Sequence, residues 1–126
     1  MNRYRFTGRS RRKAGEMNKT EKSYSDYLFK QKVAGLILDF WYEPFSLKLA
    51  GGCFYRPDFM VLLSDLEIEI HEVKGFWEDD ALVKIKVAAE KFPFRFRTVK
   101  KTKLGFEIRE VGVDNLTAKS TKNANA

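Results

Sequence analysis

One cysteine, one histidine and three prolines are few for 126 residues, and each shortage closes off a reading. Cys53 has no partner for an internal disulfide, so a cytoplasmic setting is the simplest expectation. Cys53 and His71 together fall short of the four ligands a zinc site usually wants. No run of about 18 apolar residues exists, so neither a transmembrane helix nor a membrane partner is expected. The N-terminus carries no apolar stretch behind its basic residues, so no secretory signal is expected either. Acids are missing from the first thirteen residues, where Arg3, Arg5, Arg9, Arg11, Arg12 and Lys13 crowd together. With a net charge of +7, the chain favours a polyanionic partner, and nucleic acid is the usual one. The basic run reads either as an arm that closes on phosphates or as a solvated tail.

The chain is long enough for one domain with its own core. Residues 1–17 read as a basic flexible arm, 18–112 as the folded domain and 113–126 as a polar, disordered tail. Asn18-Lys19-Thr20-Glu21 fits a capping box, so a helix is expected from Asn18, with Glu21, Tyr24 and Leu28 on one face. Ile37 to Leu49 is strand-like, broken near Pro44. Gly51-Gly52 marks a turn, Cys53 to Leu63 the next strand, Ser64-Asp65 a turn, and Leu66 to Val73 a third strand. These three read as an antiparallel meander. A helix over Asp80–Phe92 follows, with Leu82, Ile85, Ala88, Ala89 and Phe92 on its apolar face, and Pro93 stops it. Phe94–Val99 and Phe106–Val111 alternate as further strands. The expected class is α/β, a mixed central β-sheet flanked by helices.

Two strings on these strands carry the chemistry. Tyr55-Arg56-Pro57-Asp58-Phe59 places an acid after a proline that donates no ladder hydrogen bond, so pairing should lapse beside Asp58. In Ile70-His71-Glu72-Val73-Lys74-Gly75, Glu72 and Lys74 project from one face while Val73 points to the core. Two carboxylates drawn to one point repel, and a divalent cation relieves the repulsion. Magnesium takes oxygen ligands, and Asp58, Glu72 and the backbone carbonyl of Val73 would suffice. Lys74 would orient a water or offset charge on a phosphate. By average residue usage the bare pattern arises by chance in roughly one chain in twenty. Its weight comes from both halves falling on strands. Glu67, Glu69 and His71 alternate onto the opposite face and are excluded from the site. Lys84 and Lys86 lie on the helix behind the motif, where they either meet DNA phosphate or form a solvated face. Phe76 and Trp77 either stack on a base or pack within the protein.

These strings resemble those of the PD-(D/E)XK nuclease superfamily. The likeness is nearest to the junction-resolving endonuclease I group of phages and related phage proteins. It runs from about Asn18 to Val99 and is most specific in Glu72-Val73-Lys74-Gly75-Phe76-Trp77-Glu78. It implies a restriction-endonuclease-like fold and a metal-dependent endonuclease in the host cytoplasm. Magnesium would be the cofactor, with manganese as substitute. The resemblance makes Asp58 and Glu72 metal ligands and Lys74 the catalytic cation. Glu21 would be a third, helix-borne carboxylate, though as capping-box residue it has another reason to be there. DNA would be the substrate, with branched DNA such as a Holliday junction one form of it; RNA stays open. A homodimer is an option, but the long segment with which the resolvases exchange strands is not identifiable. The rival readings are a catalytically inactive nucleic-acid-binding module and a phage recombination or packaging accessory protein.

Overall fold

The structure, a computed structural model, describes residues 15–75 and 79–112. Arg3, Arg5, Arg9, Arg11, Arg12, Lys13, Phe76, Trp77, Glu78 and the tail from residue 113 lie outside the described residues.

Helix α1 spans Lys19–Val33 and begins as its capping box dictates. The Asn18 side chain accepts the Glu21 N–H at 2.8 Å, and the Glu21 carboxylate accepts the Asn18 N–H at 3.0 Å. Two of the helix's orphan donors are thereby satisfied. Glu21, Tyr24 and Leu28 form its buried stripe. Gly35, at φ +77°, turns the chain out of the helix in a conformation that costs other residues more.

Among the described residues seven strands follow: β1 Ile37–Tyr42, β2 Leu47–Ala50, β3 Cys53–Tyr55, β4 Phe59–Leu63, β5 Ile68–Lys74, β6 Arg95–Thr102 and β7 Gly105–Glu110. Helix α2, Asp79–Lys91, joins β5 to β6. The main sheet has the order β1-β4-β5-β6-β7 and is mixed. β5 and β6 run parallel, and the other neighbours run antiparallel. A parallel pair needs a crossover, and α2 supplies it.

The expected strand Cys53–Leu63 is two strands, not one. Arg56-Pro57-Asp58 breaks it, and β3 pairs with β2 in a separate two-stranded sheet. The expected break at Pro44 occurs, with Glu43 at φ 44°. The antiparallel run is thus β1-β4-β5, with the β2–β3 hairpin inserted between its first two strands.

Alternation splits the core across the two faces of the main sheet. Phe59, Val61, Val73 and Val99 pack with Tyr24 and Leu28 of α1. Ile70 and Phe96 pack with Ile85 and Ala88 of α2 and with Leu47, Leu49 and Tyr55 of the hairpin. Phe59 is fully buried and meets Tyr24 edge-on at 5.5 Å. Phe59→Ala should cost about 3–5 kcal/mol in urea unfolding. A loss under about 1 kcal/mol would mean that this core collapses around the missing ring. Among the described residues no helix is long and apolar enough to cross a membrane.

Candidate functional site

The site forms where the β4–β5 ladder stops. Their last pair is Phe59↔His71. Pro57, buried and without an N–H, cannot extend it, and the chain leaves for the hairpin. β5 continues on its other side, pairing with β6 as far as Lys74↔Lys100. The Val73 N–H, left without a β4 partner, donates to Asp58 Oδ2 at 2.8 Å. The N–H and C=O of one strand residue point to the same side, so the Val73 carbonyl also faces the Asp58 side.

Glu72 is held from three directions. Its Oε2 accepts the Tyr55 hydroxyl at 2.7 Å and the Asp58 N–H at 3.3 Å. Lys74 Nζ stands 3.6 Å from its Oε1. Glu72 as a whole is 7% exposed. Segments 55–58 and 72–74 therefore lock each other, and Asp58, Glu72, the Val73 backbone and Lys74 meet at one point.

Two acids in contact, Glu72 buried and Asp58 half-buried, do not both stay ionised. Burial, then the charge of Glu72, pushes the Asp58 carboxyl up to about 9, against a smaller opposing pull from the Val73 N–H. The charge of Glu21 adds to the rise, and Lys74 works against it. Burial also raises Glu72, with the Tyr55 hydrogen bond and Lys74 opposing. Without a cation the pair holds a proton between them. Burial and the charge of Glu72 push the Tyr55 phenol upward, so it stays protonated and acts as a donor.

Glu21 acts on Asp58 through its charge, while its carboxylate oxygens have partners of their own. One oxygen closes the capping box and the other accepts the Tyr42 hydroxyl at 3.0 Å. Among the described residues no three His, Cys, Asp or Glu side chains gather closely enough to hold a metal. The acidic donors brought together are Asp58 and Glu72, with the Val73 carbonyl beside them. This set fits a hard cation that takes one or two carboxylates and keeps its waters.

A cleft of about 210 Å³ opens over Glu72 and Lys74, bordered by Phe54, Tyr55, Arg56 and Lys84. Lys84 thus shares the cleft with Glu72 and Lys74. Lys86, two residues on, does not. It lines a separate cavity of about 410 Å³ with Thr98 and Lys100. Lys74 and Lys100 lie in register on parallel strands, placing two cations side by side where β5 ends.

Glu69 and His71 stay out of the site, as alternation requires. Both are buried on the α1 face. His71 Nδ1 pairs with the Tyr24 hydroxyl at 2.6 Å and Nε2 with Glu69 at 3.0 Å, while Arg97 Nε donates to Glu69 at 2.7 Å. His71 is a packing residue rather than a surface one. Sequence reasoning misses the role of Tyr55. A signal is there, since Tyr55 turns inward as Leu47 and Leu49 do and stands two residues before the motif's proline.

No protein-family model matches the chain, and no curated protein matches it.

Proposed function

We propose that this protein is a divalent-metal-dependent endodeoxyribonuclease of phage type that hydrolyses phosphodiester bonds. Magnesium is the cofactor, manganese substitutes, and DNA is the substrate, with branched DNA one form of it. One observation carries the reading: Asp58 and Glu72, from separate segments, converge with Lys74 3.6 Å from Glu72, and burial raises both carboxyls. A pair of repelling acids, one of them buried, beside a cleft is a functional-site signature. The order helix, antiparallel run, helix, strands accords with the restriction-endonuclease-like fold that the sequence resemblance implies.

Asp58, Glu72 and the Val73 carbonyl would hold the cation. When bound, it would lower the pKa of a water and polarise the scissile phosphate. The chain's own residues do the rest. Tyr55 and the Asp58 N–H fix one oxygen of the Glu72 carboxylate, and the other pairs with Lys74. Lys74 orients the attacking water or offsets charge on the phosphate. Lys84 meets a flanking phosphate, and Glu21 adds the negative charge that favours a cation at Asp58. The arm Arg3, Arg5, Arg9, Arg11, Arg12 and Lys13 adds affinity.

Lys74→Ala should lower turnover about a hundredfold. It should leave the magnesium midpoint within a factor of about three, because the ligands remain. An equal loss in both would make Lys74 part of the cation's seat instead. Deleting residues 1–13 should flatten the salt dependence of DNA binding, by roughly 0.9 in log–log slope for each phosphate the arm had neutralised. An unchanged slope would remove the arm from the DNA interface. A second reading, an inactive nucleic-acid-binding module, draws on the paired cations Lys74 and Lys100 and predicts binding without cutting.

A further inference from the structure

The β2–β3 hairpin alternates cleanly except at one residue. Leu47, Leu49 and Tyr55 turn inward onto α2 and the sheet. Ser46, Lys48, Ala50 and Arg56 lie exposed. Phe54 breaks the pattern: it is 53% exposed on the outer face, in register with Lys48. An exposed apolar side chain by itself means little. Phe54 differs because it borders the cleft that holds Glu72 and Lys74. Cations surround it. Arg56, two residues on, is more than half exposed while its guanidinium rests against Glu43 at 3.6 Å and Ser46 at 3.5 Å. Lys84 closes the cleft from α2.

An exposed aromatic ring among cations beside a cleft of about 210 Å³ is the arrangement that takes unpaired nucleotides. The ring stacks on a base, and the cations take the flanking phosphates. Bases inside a continuous duplex already stack on each other and offer no free face. We propose that the outer face of the hairpin is a base-stacking subsite, in which Phe54 takes an unpaired DNA base next to the cleft while Lys48, Arg56 and Lys84 hold the adjoining phosphates. This rests on the nucleic-acid reading of the cleft and narrows it to DNA with single-stranded character at the bound position: a single strand, a flap or an opened branch point. The hairpin then has a task of its own. Its inner face completes the core, and its inner Tyr55 holds Glu72, while its outer face selects the strand.

The test is equilibrium binding in EDTA, where no cutting occurs. The probes are a fluorescent single-stranded oligonucleotide and a duplex of the same length. The ratio of single-strand to duplex affinity should fall about tenfold in Phe54→Ala, the size of one missing stack. It should be retained in Phe54→Trp. The single strand with an abasic nucleotide at successive positions should lose affinity at one position in the wild type and at none in Phe54→Ala. An unchanged ratio in Phe54→Ala, or equal losses on both probes, overturns the subsite. Cleavage in magnesium is scored separately. Metal-dependent cutting with an unchanged ratio defeats the subsite alone. A Phe54-dependent ratio without any cutting upholds the subsite and defeats the nuclease reading alone.

Discussion

Asp58→Asn will make the metal-free protein more stable at pH 8 while removing its metal-dependent cutting. The Asp58 carboxyl, pushed up to about 9 by burial and by Glu72, is protonated at neutral pH. An amide imitates that protonated form. Its oxygen still accepts the Val73 N–H, and its NH2 donates toward Glu72, which the Asp58 side chain already meets. The sign follows from linkage. Between the ordinary carboxylate value, near 4, and about 9, the folded state binds more protons than the unfolded chain. The contribution of Asp58 in the metal-free wild type is therefore full below about pH 4 and is lost as pH rises toward the folded value. The amide removes that slope. Its melting temperature should exceed wild type by about 5 °C or more at pH 8. The gap should shrink toward pH 5. Saturating magnesium should stabilise wild type and not the variant. Cutting should fall on the order of a thousandfold, because a neutral amide is a poorer ligand than a carboxylate. A variant less stable than metal-free wild type at every pH would mean that the two acids do not strain each other.

Glu69→Gln will cost about 2–4 kcal/mol at pH 7 and flatten the acid limb of the stability curve. Glu69 is 6% exposed and bonded to His71 and Arg97, with Arg95 at 3.7 Å. Burial pushes its carboxyl up, but the hydrogen bonds and charges of His71 and Arg97 outweigh burial and hold it below its ordinary range. A depressed acid contributes stability above its unfolded value, near 4, and loses it as pH falls further. Its sign is opposite to that of Asp58, so metal-free wild type should weaken at both ends of the pH range. Chemical denaturation of wild type and Glu69→Gln at pH 3, 5 and 7 checks this. The two should differ most at pH 7, and the gap should narrow as pH falls below the ordinary carboxylate range. Parallel curves would mean that Glu69 contributes through packing alone.

Local rules were legible in the sequence where one residue type has one use. Asn18 and Glu21 close the capping box they spell, Gly51-Gly52 turns, and Glu72 and Lys74 share a face. Long-range choices were not legible. Cys53–Leu63 reads as one strand because alternation says which side a residue faces, not which strand it pairs with. Only the fold shows that Pro57 sends the chain from β3 to β4 and so lets Asp58 take the Val73 N–H. The same limit hid the hairpin as a separate sheet and the grip of Tyr55 on Glu72. Glu21 had two meanings in the sequence. The fold keeps both in part, as a closed capping box and as a charge felt by Asp58.

The most direct measurement is cleavage of supercoiled plasmid, linear duplex, single strand and a four-way junction, in magnesium and then in manganese, with Asp58→Asn alongside. Metal-dependent cutting by wild type that disappears in Asp58→Asn, while DNA binding remains, is the expected result. No cutting of any substrate despite tight binding, or cutting that survives in Asp58→Asn, would contradict the assignment of Asp58 and Glu72 as the seat of a catalytic metal.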